Sequence, residues 1–308
     1  MSSTGDLGVL PMLRAGPDDA QRKTEVGPPR GRRSGCEPRI PDSGAVHYLG
    51  IDLAWGQRSR TGVAVLGPTG RLLASTSVVT DNEIADVLAP WSSGMETTGR
   101  PAARAGLVAA VDAPLVVPNL TGRRPCEAQV SAAFRRYSAG AYPANRSNRL
   151  FAPEPRAARL ARRFGWDIDP ATPVTSSTAL ALEVYPHPAM VALFGLETVI
   201  PYKLKSGREL PALRASYERL LDHLEATCGG LMDLPGNDRW AQLRAVAAGA
   251  TRKSELGRIE DEVDAILCAY LAWMWVHERR SLTVWGNVRE GYIVTPFPPR
   301  ADATEPLT

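Results

Sequence analysis

The chain has 308 residues, 44% of them hydrophobic and 22% charged, an ordinary globular composition with room for one large domain or two small ones. Its formal net charge of +3 is too weak to point to a partner, so the distribution of charge matters more than its sum. Four scattered cysteines (Cys36, Cys126, Cys228, Cys268) form no C-x-x-C pair, which argues against a zinc knuckle or redox motif. No apolar run approaches the roughly 20 residues of a membrane helix, and the N-terminus lacks a signal-peptide layout, so a soluble cytoplasmic protein with no membrane association is expected.

Residues 1–45 are rich in Pro, Gly, Arg and Ser and read as a disordered leader. Seven basic against six acidic residues do not make it a nucleic-acid arm. The stretch from Tyr48 to Gly56 then reads as a buried strand that delivers Asp52 to its C-terminal end. Residues 62–66 and 72–79 predict two more strands around the turn Gly67-Pro68-Thr69-Gly70, an antiparallel meander. A helix follows over 81–88, with Asp81 as its N-cap. The run Gly106 to Val111 is apolar throughout, as in a strand covered on both faces, and Asp112 closes it.

Residues 113–178 read as a long insertion between the fourth and fifth strands. It has helices near 127–136 and 154–164 and a polar loop at 138–148. Between 113 and 165 ten Arg stand against two Glu, so the positive charge of the chain is concentrated here. A fifth strand is expected at 181–185, then Pro186-His187-Pro188 and a short helix to Phe194. The stretch 202–208 is basic again, 210–226 reads as an amphipathic helix and 228–238 as a Gly-rich loop. A late helix over 258–279 and a hairpin of 281–286 with 291–295 complete a single domain over 46–297, with 298–308 a frayed tail.

Asp52 and Asp112 both close strands, and open α/β sheets place ligands at the carboxyl ends of their strands. The late helix carries Asp261 and Asp264 three residues apart, with Asp264 at the edge of the apolar stripe formed by Ile259, Val263, Ile266, Leu267, Tyr270 and Leu271, and Asp261 further out. A helix meeting the sheet there brings these carboxylates together. Converging carboxylates repel unless a cation neutralises them, and oxygen-rich sites favour Mg²⁺ or Mn²⁺. Such ions serve phosphodiester cleavage.

The ordered set Gly50-Ile51-Asp52-Leu53-Ala54-Trp55, Val111-Asp112-Ala113-Pro114, Arg124-Pro125-Cys126-Glu127, Glu183-Val184-Tyr185-Pro186-His187-Pro188, Tyr202-Lys203, Asp261-Glu262-Val263-Asp264-Ala265 and Gly291-Tyr292-Ile293-Val294-Thr295-Pro296 resembles the predicted RNase H-like nucleases grouped as domain of unknown function 429. The resemblance covers about 47 to 296. It implies an RNase H-like mixed α/β sheet flanked by helices. Its metal-holding carboxylates would be Asp52, Asp112 and Asp264, with Asp261 a fourth.

Other candidates surround this set. Glu183 either belongs to the site or pairs with an arginine of the insertion. His187 is a possible general base or proton shuttle, or a packed turn residue. Glu127 reads as a supporting acid or as a helix N-terminal charge. Arg123, Arg124, Arg135, Arg136, Arg146 and Arg149 are candidates for holding phosphates, with Lys203, Lys205 and Arg208 extending the surface and Tyr137 and Tyr142 available to stack on bases. Trp273 and Trp275 read as core. No dinucleotide fingerprint, P-loop or H-E-x-x-H occurs. The expected function is a divalent-metal-dependent nuclease with a nucleic-acid substrate. Its rivals are a nucleotide-binding protein of the actin and sugar-kinase type and a non-catalytic nucleic-acid-binding module.

Overall fold

A computed structural model describes residues 46–92 and 106–299. The expected leader, the loop before the fourth strand and the last nine residues lie outside this range. Among the described residues, seven strands and seven α-helices follow in order. They are β1 Val46–Asp52, β2 Thr61–Leu66, β3 Leu72–Val78, α1 Asp81–Ser92, β4 Gly106–Val111, α2 Pro125–Phe134, α3 Arg156–Phe164, β5 Ala179–Glu183, α4 Pro186–Phe194, α5 Leu210–Met232, α6 Asp238–Gly249, α7 Lys253–His277, β6 Leu282–Asn287 and β7 Gly291–Pro296.

The main sheet is mixed and has five strands in the order β3-β2-β1-β4-β5. The meander β1-β2-β3 is antiparallel, whereas β4 and β5 run parallel to β1. The C-terminal ends of β1, β4 and β5 therefore lie side by side. Strands β6 and β7 form a separate antiparallel pair, touching the end of β5 through the bridge between Val184 and Val294.

Helix α7 lies against one face of the sheet, antiparallel to β1. Side chains alternate along a strand, so Tyr48, Gly50 and Asp52 share that face. Tyr48 Oη meets His277 Nε2 at 2.8 Å near the end of α7. Gly50 passes directly beneath Ala265 and Ala269, and Gly62 on β2 beneath Asp261, both without room for a Cβ. Two glycines on adjacent strands thus let the helix backbone approach the sheet backbone.

Three local expectations are corrected. The cap of α1 is Thr80, not Asp81: Glu83 N–H donates to Thr80 Oγ1 (3.1 Å), and Thr80 N–H donates back to Glu83 Oε2 (2.8 Å). The stretch 228–238 is not one loop, because α5 runs on to Met232. Gly229 and Gly230 disfavour helix, but the buried stripe Leu220, Leu224, Cys228, Met232 carries it through. Helix α6 was not expected. Its anchors Trp240, Leu243 and Ala247 lie on one face, and Asn237 Oδ1 caps it by accepting from Trp240 N–H (3.0 Å).

Among the described residues, no helix is long and apolar enough to cross a membrane. Cys126, Cys228 and Cys268 are buried free thiols.

Candidate functional site: an acidic cluster built around Lys203

The carboxyl end of the sheet gathers acids from three elements. Asp52 ends β1. Asp112 follows β4, and its N–H donates to Ile51 O at 2.8 Å, which sets it beside Asp52. Helix α7 contributes Asp261 and Asp264, together with Glu260, which the sequence reading did not single out. Glu260 and Asp264 are four apart, so the helical period alone could have marked it.

The cation among these acids comes from the protein. Lys203 Nζ lies 2.7 Å from Asp264 Oδ2, 3.8 Å from Glu260 Oε1 and 4.0 Å from Asp52 Oδ2. Lys203 thus sits inside the cluster, not on a surface beyond it. Its segment is tied to α7 on either side. Tyr202 Oη donates to Asp264 Oδ1 at 2.6 Å, and Leu204 N–H donates to Glu260 Oε2 at 3.2 Å. Arg208 holds the carbonyl of Lys203 at 2.6 Å. Asp264 is fully buried, and Asp52 nearly so, with its Oδ2 making no hydrogen bond.

Burial dominates the proton affinities. It raises the Asp52 carboxyl well above the usual range, Lys203 opposes it, and Asp112, Asp264 and Asp261 push further upward. Asp112 is raised to about 7 by burial, against the pull of Lys203. Asp261 is also raised to about 7, by burial and then by Asp264 and Glu260. Lys203 is held charged well above its ordinary range: the acids around it outweigh its burial. His187, at the first turn of α4, is lowered to about 4 by burial and then by the Lys203 charge, so it is neutral at physiological pH.

An acid with a raised folded-state pKa weakens the fold once it ionises. Below about pH 4 both states hold the proton, and between about 4 and 7 the unfolded chain releases it first. Without divalent cations, Asp112 and Asp261 therefore make stability fall as pH rises through this window. Urea titrations from pH 4.5 to 7.5 are expected to show a shallower fall in Asp112→Asn than in the wild type. Identical pH slopes would remove Asp112 from this account.

Glu183 takes the second of its two anticipated roles. Arg124 Nη2 and Nη1 donate to its Oε1 and Oε2 at 2.6 and 2.9 Å, and Leu115 N–H donates to Oε2 at 2.9 Å. Arg124 is itself buried, with Nε on Glu127 Oε1 (2.7 Å) and Nη1 on Val116 O (2.9 Å). Its guanidinium is spent on two glutamates and a carbonyl, so Arg124 is not a surface phosphate holder. Together Glu127, Arg124 and Glu183 brace the segment that leaves Asp112.

The other arginines are spread out. Arg123 donates to Ser131 Oγ (3.0 Å) and Arg146 to Val117 O (2.9 Å), and Arg123, Arg135, Arg136, Arg146 and Arg149 are all exposed. Tyr137 is buried, whereas Tyr142 is exposed beside the acids. Trp275 is buried, and Trp273 stacks between Tyr270 and His277.

A cleft of about 310 Å³ opens over the site, lined by Asp52, Trp55, Asp112, His187, Lys203 and Lys205 among others. The donor set suits a hard divalent ion in kind: several buried carboxylates, two of them (Asp52 and Asp264) with an Oδ2 lacking any hydrogen bond. As they stand, no three His, Cys, Asp or Glu among the described residues form a metal-holding group, and Lys203 supplies the neutralising charge.

Neither the curated proteins nor the solved structures provide a match to this chain. A family model does match it, over residues 50–288, which takes in the end of β1 with Asp52, all of β4 and the acids of α7. The chain therefore belongs to the DUF429 family of proteins of unknown function.

Proposed function

We propose that this chain is a divalent-metal-dependent nuclease of RNase H-like fold, acting on nucleic acid in the cytoplasm. The observation that carries the reading is the meeting of Asp52, Asp112, Asp261 and Asp264 at the carboxyl end of a sheet ordered β3-β2-β1-β4-β5. The β4–β5 connection, which bears α2 and α3, would be the family's basic insertion.

Asp52, Asp112 and Asp264, with Asp261, would hold Mg²⁺ or Mn²⁺. Such an ion supplies Lewis acidity and lowers the pKa of bound water. Lys203, on the cleft lining among the acids, would also meet a phosphate oxygen. His187, neutral and on the cleft wall, can accept a proton. The Glu127-Arg124-Glu183 brace keeps Asp112 at a fixed height relative to β1.

The test is Mn²⁺-dependent cleavage of single-stranded, duplex, hybrid and four-way-junction substrates, run beside Asp52→Asn. Cleavage by the wild type and a loss of at least about a hundredfold in the variant are expected, in the range seen when a key electrostatic group of an active site is removed. A folded wild type that neither cleaves nor binds Mn²⁺ would overturn the reading.

A further inference from the structure

Two exposed aromatic rings flank the acidic cluster, and the backbone on both sides of each is pinned by a buried polar side chain. Trp55, just after β1, is 37% exposed. The carbonyls of its neighbours Ala54 and Gly56 both accept from Nη1 of the buried Arg156, at 2.9 and 2.8 Å. Ala54 N–H donates to Thr61 Oγ1 at 3.2 Å. The indole leans on Phe151, with ring centroids 4.9 Å apart.

Tyr142, in the loop after α2, is 61% exposed. On one side Ala141 N–H donates to the buried Ser131 Oγ (3.1 Å), and on the other Ala144 N–H donates to the buried Glu127 Oε1 (2.9 Å). Burying an arginine and a glutamate is costly, and here the bonds they make fix segments whose rings face outward.

Trp55, Tyr142 and half-buried Tyr185 line both the large cleft and a smaller cavity of about 50 Å³ that continues past Asp112 toward Pro114 and Ile293. The aromatic slot and the acids are thus parts of one continuous site. An aromatic ring stacks on any nucleobase face, but only on a base that is out of its pair.

We infer that Trp55 and Tyr142 form a stacking slot for an unpaired nucleobase next to the reacting phosphate, so that the substrate is a single strand or a free nucleotide, not a duplex. This deepens the nuclease reading and rests on it. Lys203 and Lys205 on the same wall suit the adjoining phosphate.

The experiment is equilibrium binding of a fluorescent 12-nucleotide single strand, of the same strand in a duplex, and of a mononucleotide as competitor, with full-length Asp52→Asn to prevent cleavage. The single strand is expected to bind at least tenfold more tightly than the duplex. Trp55→Leu and Tyr142→Leu, added singly, are each expected to weaken it by roughly five- to a hundredfold, the range of one base-stacking contact. Both side chains are partly or largely exposed, and unchanged thermal unfolding certifies the folded variants. Competition by the mononucleotide at the strand's own affinity supports the slot with a free nucleotide as its source. Duplex binding as tight as the single strand, or affinity unchanged in both aromatic variants, overturns the slot. It leaves the nuclease reading standing if Mn²⁺-dependent duplex cleavage is still lost in Asp52→Asn. No binding of any nucleic acid overturns both.

Discussion

Gly50→Ala is expected to lose about 3 kcal/mol or more of folding stability, a fall in melting temperature of roughly 6–12 °C for a domain of this size. The added Cβ would overlap the carbonyl oxygen of Ala265 and the amide nitrogen of Ala269, and backbone cannot rotate away as a side chain does. Gly62→Ala has the same effect one strand over, against the Asp261 carbonyl and the Glu262 nitrogen. In both variants α7 must lift from the sheet, and it is α7 that carries Asp261 and Asp264 to Asp52. The proposed metal-dependent activity is therefore expected to fall further than the folded fraction does, most of all in Gly62→Ala. Gly230→Ala is the control. It lies inside α5 with open space around it, and alanine there is expected to stabilise by about 0.5–1 kcal/mol. Chemical denaturation measures all three. Wild-type stability in Gly50→Ala would mean that helix and sheet are not in backbone contact.

These glycines show where sequence reading stops. β1, β2 and β4 are legible because each is a compact apolar run between turn residues, and the five-stranded mixed sheet follows from them. Asp52 and Asp112 stand out because each closes such a run. Asp264 stands out because it interrupts the apolar face of a long helix. What Gly50 and Gly62 do is not legible, since a glycine in a strand records only that something comes close, not what. Helix α6 is not legible because its three anchors are separated by Ala, Gln, Arg and the exposed Val246, giving little periodic contrast. The Arg124–Glu183 pair joins residues 59 apart, and no local pattern signals it. In the sequence Lys203 belongs to a basic stretch, because its neighbours Lys205 and Arg208 are basic. Only the fold shows that Tyr202 and Leu204 are fastened to α7 and turn the lysine between them inward.

Removing that lysine is expected to have the second large effect. In Lys203→Met, Asp264 stays fully buried and loses its ion pair, while Asp52 loses its nearest cation. Breaking a buried pair by taking away one partner costs about 3–5 kcal/mol, because the remaining charge has no compensation. Lys203 opposes the upward shift that burial gives the Asp52, Asp112 and Asp261 carboxyls, so without it these three retain protons to still higher pH in the folded state. The loss is then larger at pH 8 than at pH 5.5 and shrinks as pH falls toward the ordinary carboxylate range, below which both states are protonated. Lys203→Arg keeps a charge and is expected to recover part of the stability. Because Lys203 and a divalent ion would neutralise the same acids, Lys203→Met is also expected to bind Mn²⁺ more tightly than the wild type. Its melting temperature then gains more from added Mn²⁺, as binding to the folded state alone requires. Under the proposed function a phosphate contact would go with the ammonium, so the proposed cleavage would fall even as metal affinity rises. A residue that only touched substrate would change cleavage and leave both the metal-free stability and the Mn²⁺ response as they are. Thermal unfolding of wild type, Lys203→Met and Lys203→Arg, with and without Mn²⁺ at pH 5.5 and 8, separates the two roles. Equal Mn²⁺ shifts in all three proteins would show that Lys203 does not share the acids with the metal.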